Sequence, residues 1–196
     1  MKRVLITGAT DGIGKAIATL LDEKAYELIL FGRSKDKMEA LKLKHVIASF
    51  CFDMTCEDDL QNALKQVNDL GGVDVLINNA GANIKKDAVL DINLSDFKNM
   101  LSLNTIAPLM CIQALCPKMI EKKDGLVINI LSTCCLYHNK GNGAYTASKK
   151  AFEGLSKTLV KEVKDKGVKV MDVYPGGVNT HFRSAEKPEY LKAETV

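Results

Sequence analysis

Six short runs of mostly branched apolar residues punctuate the chain: RVLITG, ELILFG, HVIASFCF, VDVLINNAG, GLVINILS and VKVMDVYPG. Each has the length and β-branched content of a strand. Most are near-continuously apolar, the pattern of strands buried on both faces. The intervening segments, such as GIGKAIATLLDEK and LQNALKQVNDL, place apolar residues three and four apart, the signature of helices with one buried face. Strand and helix alternate throughout, which predicts a doubly wound α/β fold, a parallel sheet of about six strands with helices on both faces. No internal repeat, low-complexity tract or linker divides the sequence, so 1–196 reads as a single domain. In such sheets ligands bind beyond the carboxyl ends of the strands, where the strand order reverses. The residues just after each strand are therefore the ones to read for chemistry.

Composition narrows the function classes. At 196 residues and 46% apolar content the chain can bury one good core. The net charge is +3, and the lysine-rich stretches 34–45 and 156–169 interleave acidic residues with no aromatic ladder. They read as solvated helix faces rather than a nucleic-acid groove. The N-terminus runs straight into the first strand without a signal-peptide pattern, and the sequence shows no long apolar run for a membrane span, so a cytoplasmic location is expected. The six cysteines fall in or next to predicted elements and are expected to be reduced and mostly buried. No CxxC occurs and His45, His138 and His181 are scattered, so no metal site is expected. The adjacent Cys134 and Cys135 suit disulfide geometry badly.

Two motifs carry chemistry. After the first strand, TGATDGIG (7–14) places glycines at 8, 12 and 14 at the opening of a helix. Gly8 permits a tight turn, Gly12 lets backbone approach a pyrophosphate, Gly14 allows close packing, and the helix N-terminus offers N–H groups to the phosphates. Further on, GNGAYTASKK (141–150) sets Tyr145 four residues before Lys149, on one helix face. A phenol ordinarily ionises at a pKa of about 10, and a neighbouring ammonium lowers that value by favouring phenolate. The helix continues with Phe152, Leu155 and Leu159 as an expected buried stripe.

TGxxxGxG after the first strand, NNAG (78–81) after the fourth and YxxxK opening a later helix together resemble the short-chain dehydrogenase/reductase family, over residues 3 to about 180. The resemblance implies a Rossmann-type fold and hydride transfer between a nicotinamide and a carbonyl/alcohol pair: a 3-oxoacyl thioester, ketone or aldehyde, as in 3-oxoacyl-acyl-carrier-protein reductases. It implies a catalytic set of Asn104, Ser132, Tyr145 and Lys149. Tyr145 would be the general acid/base and Ser132 would hydrogen-bond the reacting oxygen. Lys149 would lower the phenol pKa and bind the nicotinamide ribose, and Asn104 would hold a water in a proton relay, unless it is a helix asparagine satisfied by backbone ahead of Pro108.

For the cofactor, the resemblance implies contacts from Gly8, Thr10, Gly12, Ile13 and Gly14 in the phosphate loop, and from Asn79, Ala80 and Gly81. Asp53 and Met54 would form an adenine pocket, a reading the context favours over the alternative that Asp53 merely starts the turn before the next helix. Pro175, Gly176, Val178 and Thr180 match PGxVxT beside the nicotinamide. Gly32 and Arg33, where NAD users carry an acid, point to NADP(H), with NAD(H) possible. Asp11, standing where many NADP users carry a basic residue, points the other way. The helices around 104–119 and 145–163 are those through which family members form homodimers or homotetramers.

The resemblance weakens at the end. Only 16 residues follow Thr180, a short tail (181–196) where family members continue with a substrate lid, a helix and a seventh strand. The seventh strand is expected to be missing and the sixth to be a sheet edge. The pocket would then be open, lined by 82–90, by 133–142 with Tyr137 and His138, and by the tail. A cofactor-binding regulatory or interaction protein with weak or no turnover is the alternative reading, and a thiol sensor at Cys134 and Cys135 has no activating motif in the sequence.

Overall fold

The computed structural model describes residues 1–180, 188 and 190–195; of the tail, 181–187, 189 and 196 lie outside the described residues. The six expected strands form one parallel sheet: β1 (Arg3–Thr7), β2 (Glu27–Gly32), β3 (Val46–Cys51), β4 (Val75–Asn78), β5 (Gly125–Ile130) and β6 (Val168–Val173). Their order is β3-β2-β1-β4-β5-β6, so the winding reverses between β1 and β4. Parallel pairing buries both faces, which is why β1, β2 and β4 carry almost unbroken buried runs.

One face packs on α3 (Glu57–Asp69), α4 (Leu94–Leu101), α5 (Ala107–Lys122) and α6 (Gly143–Val163). Leu5, Ile29, Phe31, Leu76 and Val127 meet Leu60, Leu64, Leu115, Met119 and Phe152 there. The opposite face is covered by α1 (Gly12–Glu23) and the single turn and a half of α2 (Lys35–Glu39), with Val4, Ile6, Leu28, Leu30, Val75 and Ile77 against Ala18 and Met38. Beyond β5 this second layer thins, and Met171 on β6 is 53% exposed. Among the described residues β6 pairs only with β5, so it is a sheet edge. The described tail lies elsewhere: β7 (Val178–Asn179) pairs with β8 (Leu191–Lys192), and residues 193–195 pack against α1.

The segment 94–122 departs from a regular helix. Between α4 and α5 the chain makes a π turn at Ser102–Ile106, with Pro108 opening α5. By length and composition Leu94–Lys122 passes as a membrane span, which the linear reading of the sequence missed, yet half of its apolar window is buried within the protein. Cys111, Leu115 and Met119 dock it on the sheet as a core helix.

Helix α6 carries Tyr145 and Lys149, and its anchoring decides how firmly they are held. Phe152 is fully buried in the core and Leu159 packs on its margin, but Leu155 is 39% exposed, against the expected stripe. The helix turns 100° per residue, which carries position 155 past the edge of the sheet-facing side. The thiols also divide: Cys111, Cys116, Cys134 and Cys135 are buried, Cys51 and Cys56 exposed, and all six are unbridged. Burial pushes the Cys111 thiol up to about 12 and Cys116 up to about 11, leaving both unreactive. Truncating Phe152→Ala is expected to lower stability by about 3–5 kcal/mol, measured by thermal or denaturant unfolding; a loss below about 1 kcal/mol would show that α6 is anchored by other contacts.

Candidate active site

The winding reversal leaves a gap where β1 and β4 end, and its polar groups are paired across it. Thr7 Oγ1 accepts the N–H groups of Asn79 and Ala80, each at 2.9 Å, while Asn79 Nδ2 donates to the carbonyls of Thr7 (2.9 Å) and Gly8 (3.2 Å). Beneath, Asn78 Nδ2 donates to Asn129 Oδ1 at 2.9 Å, and Asn129 continues to Ser156 and Asp172. NNAG therefore ties β1, β4 and β5 together at the mouth of the sheet.

The phosphate loop is built around missing side chains. Gly8 has φ +64° and Gly12 φ +49°, a region open to glycine. A β-carbon on Gly14 would be driven into the Gly8 carbonyl and the Asn79 amide, and one on Gly12 would meet Thr180 Cγ2 at 3.0 Å. Thr180 thus stands beside the phosphate loop, although the two are far apart in sequence. Asp11 caps α1, its Oδ1 accepting the Gly12 N–H at 2.8 Å, and Ile13 follows in the first turn. At the end of β2, a β-carbon on Gly32 would lie 2.7 Å from Thr10 Cγ2, so the strand end presses on the loop and leaves no room for an acidic side chain. Arg33 is exposed beside it. The arrangement fits a dinucleotide: a glycine loop packed backbone to backbone at a helix N-terminus, with no side chains between it and a phosphate.

Asp53 does the local work that its position also allowed. Its Oδ1 accepts from the Thr55 N–H (2.9 Å) and hydroxyl (2.8 Å), and these bonds with the Arg33 charge hold it below the usual carboxylate range, against burial. Met54 is buried in the core.

Of the residues expected to be catalytic, Asn104 and Lys149 come together at Gly81. Lys149 is buried, with Nζ donating to the Ile130 carbonyl at the end of β5 at 2.9 Å. A β-carbon on Gly81 would lie 3.0 Å from Asn104 Oδ1 and 3.1 Å from Lys149 Nζ, so these three meet at one point. The Asn104 amide grips the backbone of Ala82 in both directions, accepting its N–H and donating to its carbonyl, each at 2.9 Å. Its Nδ2 also donates to Ser148 Oγ at 2.9 Å, and Ser148 donates to the Tyr145 carbonyl at 2.8 Å. The π turn aims Asn104 inward at this junction, a common use of such insertions. Ser132 ends β5, with Oγ accepting the Cys134 N–H at 3.2 Å, and the Thr133 N–H donates to the Pro175 carbonyl at 3.0 Å, which joins the serine loop to the Pro175-Gly176 turn. Tyr145 is buried at the first turn of α6, on the same face as Lys149.

Several supporting residues went unread in the sequence. Ser148 joins Asn104 to Tyr145. Asn83 Nδ2 donates to Asn142 Oδ1 at 3.1 Å at the start of α6, and residues 87 and 142 form an isolated bridge, so the segment after NNAG is tied to the tyrosine helix. Lys37 reaches Asp11 across the cofactor cleft, 2.5 Å between Nζ and Oδ2. Only their partners in space reveal these roles. A small cleft beside the start of α6 is lined by Lys85, Asp87, Ile92, Asp96, Met100 and Ala144. Of the expected pocket wall, Tyr137 and His138 stand exposed at the rim.

The sequence profile of the short chain dehydrogenase family matches residues 2–191. The chain belongs to the short-chain dehydrogenase/reductase family. It is similar to an uncharacterized oxidoreductase of Staphylococcus aureus, 32% identical over 195 residues that make up 97% of this chain and 84% of that protein. Among solved structures it resembles an alcohol dehydrogenase of the archaeon Thermococcus sibiricus complexed with 5-hydroxy-NADP, with a TM-score of 0.90, 26% identity and coverage of 100% of this chain and 86% of that one. It also resembles a short-chain dehydrogenase of Sphingobium yanoikuyae in complex with NADPH, with a TM-score of 0.91, 25% identity and coverage of 100% and 80%. The fold and family are thereby fixed, and this short-chain dehydrogenase is an oxidoreductase that uses a nicotinamide cofactor.

Burial pushes the Lys149 ammonium down to about 8, a shift partly opposed by the neighbouring Cys134 and Cys135. Hydrogen bonding from Cys135, with Ser132, Thr146 and the Lys149 charge, draws the Cys134 thiol down despite burial, while Cys135 is pushed up. A lysine whose folded pKa lies below its ordinary 10.5 carries a buried positive charge at a cost below pH 8, and that cost is relieved as pH rises from 8 to 10.5. Lys149→Met, without cofactor, is expected to be more stable than the wild type at pH 7 by roughly 1–3 kcal/mol, with the gap closing towards pH 10. Unfolding at several pH values checks this, and a variant less stable at pH 7 would show that the Ile130 hydrogen bond outweighs desolvation.

Proposed function

We propose that this short-chain dehydrogenase is an NADP(H)-dependent, cytoplasmic enzyme of one domain that interconverts a carbonyl and an alcohol: a ketone, an aldehyde or a 3-oxoacyl thioester. The observation that carries the reading is the convergence of Asn104, Gly81 and the buried Lys149 beside Tyr145. A module that only bound nucleotide would have no use for a buried ammonium one helical turn from a phenol on the same face. The NADP-bound state of the similar alcohol dehydrogenase and short-chain dehydrogenase supports the cofactor.

The glycine cradle at 8, 12 and 14 with Thr10 and Ile13 holds the pyrophosphate. Asp53, Met54, Asn79 and Ala80 take the adenosine half. Gly81, Lys149, Pro175, Gly176, Val178 and Thr180 surround the nicotinamide riboside. Once bound, the nicotinamide gives or takes hydride. Tyr145 delivers its phenolic proton to the carbonyl oxygen in reduction and recovers one in oxidation. Ser132, whose oxygen already accepts the Cys134 N–H, keeps its own proton to donate to the same carbonyl oxygen. Lys149 favours the phenolate that remains. Asn104 fixes the floor at Ala82 and connects through Ser148 to the tyrosine helix.

The exposed face of α6 supports a homodimer or homotetramer. Leu155 is 39% exposed, Ile106 on the adjoining segment equally so, and Gly154, next to Leu155 in the chain, has nothing within 4 Å of where its β-carbon would stand. Exposed apolar side chains beside a glycine suit close helix packing between copies.

Tyr145→Phe is expected to lower kcat by 10²–10⁴-fold, the usual range for a general acid, while cofactor binding by fluorescence titration stays within about twofold; undiminished turnover would end the mechanism. Leu155→Glu is expected to shift the assembly towards monomer in light scattering, and an unchanged mass would place the interface elsewhere.

A further inference from the structure

Asp11 conflicts with the NADP(H) reading as long as the sequence is read linearly, because a carboxylate in the phosphate loop repels a 2′-phosphate. The structure shows what becomes of that charge. One carboxylate oxygen caps α1 through Gly12 N–H at 2.8 Å, and the other accepts Lys37 Nζ at 2.5 Å. Lys37 sits on α2, the helix that begins just after Arg33, and its backbone N–H donates to Ser34 Oγ at 3.3 Å, which fixes the first turn of that helix. The contact brings an ammonium from α2 to the phosphate loop, whose Thr10 packs on Gly32 so closely that a side chain at position 32 would have to displace it.

An ammonium carries three N–H donors. With one given to Asp11, two remain. The Lys37 side chain is 54% exposed and that of Asp11 36%, so the pair is open to solvent. Nearby, the charge of Arg33 reaches Asp53 beyond the strand end. Lys35 stands further out, 80% exposed and paired with Glu39 at 3.9 Å. The cleft therefore offers a phosphate two cations from different elements, and its one loop carboxylate already has a counter-charge.

We propose that Lys37, positioned by Asp11, is a second cationic determinant of the 2′-phosphate of NADP(H) beside Arg33, supplying from α2 the charge that the phosphate loop lacks. This rests on the NADP(H) reading above. It makes Asp11 a positioning residue with two effects: it sets the ammonium in place and tempers its attraction for phosphate.

The test is fluorescence titration of the wild-type protein, Lys37→Met, Lys37→Arg and Asp11→Asn with NADPH and with NADH, after thermal unfolding has confirmed that each variant is folded. Lys37→Met is expected to weaken NADPH binding by about tenfold or more, the scale of one charge-assisted hydrogen bond, and to leave NADH within about twofold. Lys37→Arg should keep the preference for NADPH. Asp11→Asn keeps a helix-capping side chain and removes the competing charge, so it should tighten NADPH binding and leave NADH unchanged. A wild type that prefers NADPH and a Lys37→Met variant that loses nothing, or loses both cofactors equally, would overturn the inference alone. A wild type that does not distinguish NADPH from NADH would overturn the cofactor reading and this inference with it.

Discussion

The molecule depends on the place where β1 and β4 stop pairing. Parallel strands that diverge leave N–H and C=O groups without sheet partners, and leaving them bare at a buried crevice would cost free energy for each group. Thr7 and Asn79 take up these groups by side chain, one hydroxyl receiving two N–H groups and one amide serving two carbonyls. With the edge of the crevice satisfied from within the protein, the glycines of the phosphate loop can pack directly against it. The surrounding loops are referenced to that seam: Gly14 packs against it, Gly81 emerges from it, and Asn78 extends it to β5.

From the seam, two lines of contact run to the reacting centre. Gly81 and Ala82 meet Asn104, Lys149 and, through Ser148, the first turn of α6; Asn83 meets Asn142 at the same turn. Ile130 receives Lys149 from below, and the Pro175 carbonyl receives the Thr133 N–H from the side. The first turns of α6 are thus tied to the loops after β4 and β5, and the loop after β5 in turn to that after β6. A position needing a phenol within reach of a substrate oxygen is better held by several short polar links than by apolar packing alone, because such links fix orientation as well as distance.

Much of this was legible in the sequence. The strands were readable because a doubly covered parallel sheet demands unbroken apolar runs, and Gly8, Gly12 and Gly14 because only glycine satisfies their backbone and contact demands. Tyr145 and Lys149 were readable because a helix converts a four-residue spacing into one face. What was hidden depends on contacts between distant positions. Asp11 read as a repulsive charge because nothing in the string ties it to Lys37, 26 residues on. Leu155 fits an apolar period, but the period does not reveal where the sheet beneath the helix ends. The π turn at Ser102–Ile106 has no propensity signature, since it is held by the grip of Asn104 on Ala82 from outside the helix.

That turn also governs how the segment tolerates change. A π turn is a helix with one residue too many, and each residue of a regular helix accounts for about 100° of rotation. The side of α4 that presents Asp96 and Met100 to the cleft therefore owes its facing to the number of residues between Leu94 and Ala107 as much as to their identity. Substitutions there adjust the wall one side chain at a time. Losing or gaining a single codon would swing the whole wall around its axis while leaving α5 docked on the sheet, so that chain length in this segment is itself a means of reshaping what enters the site.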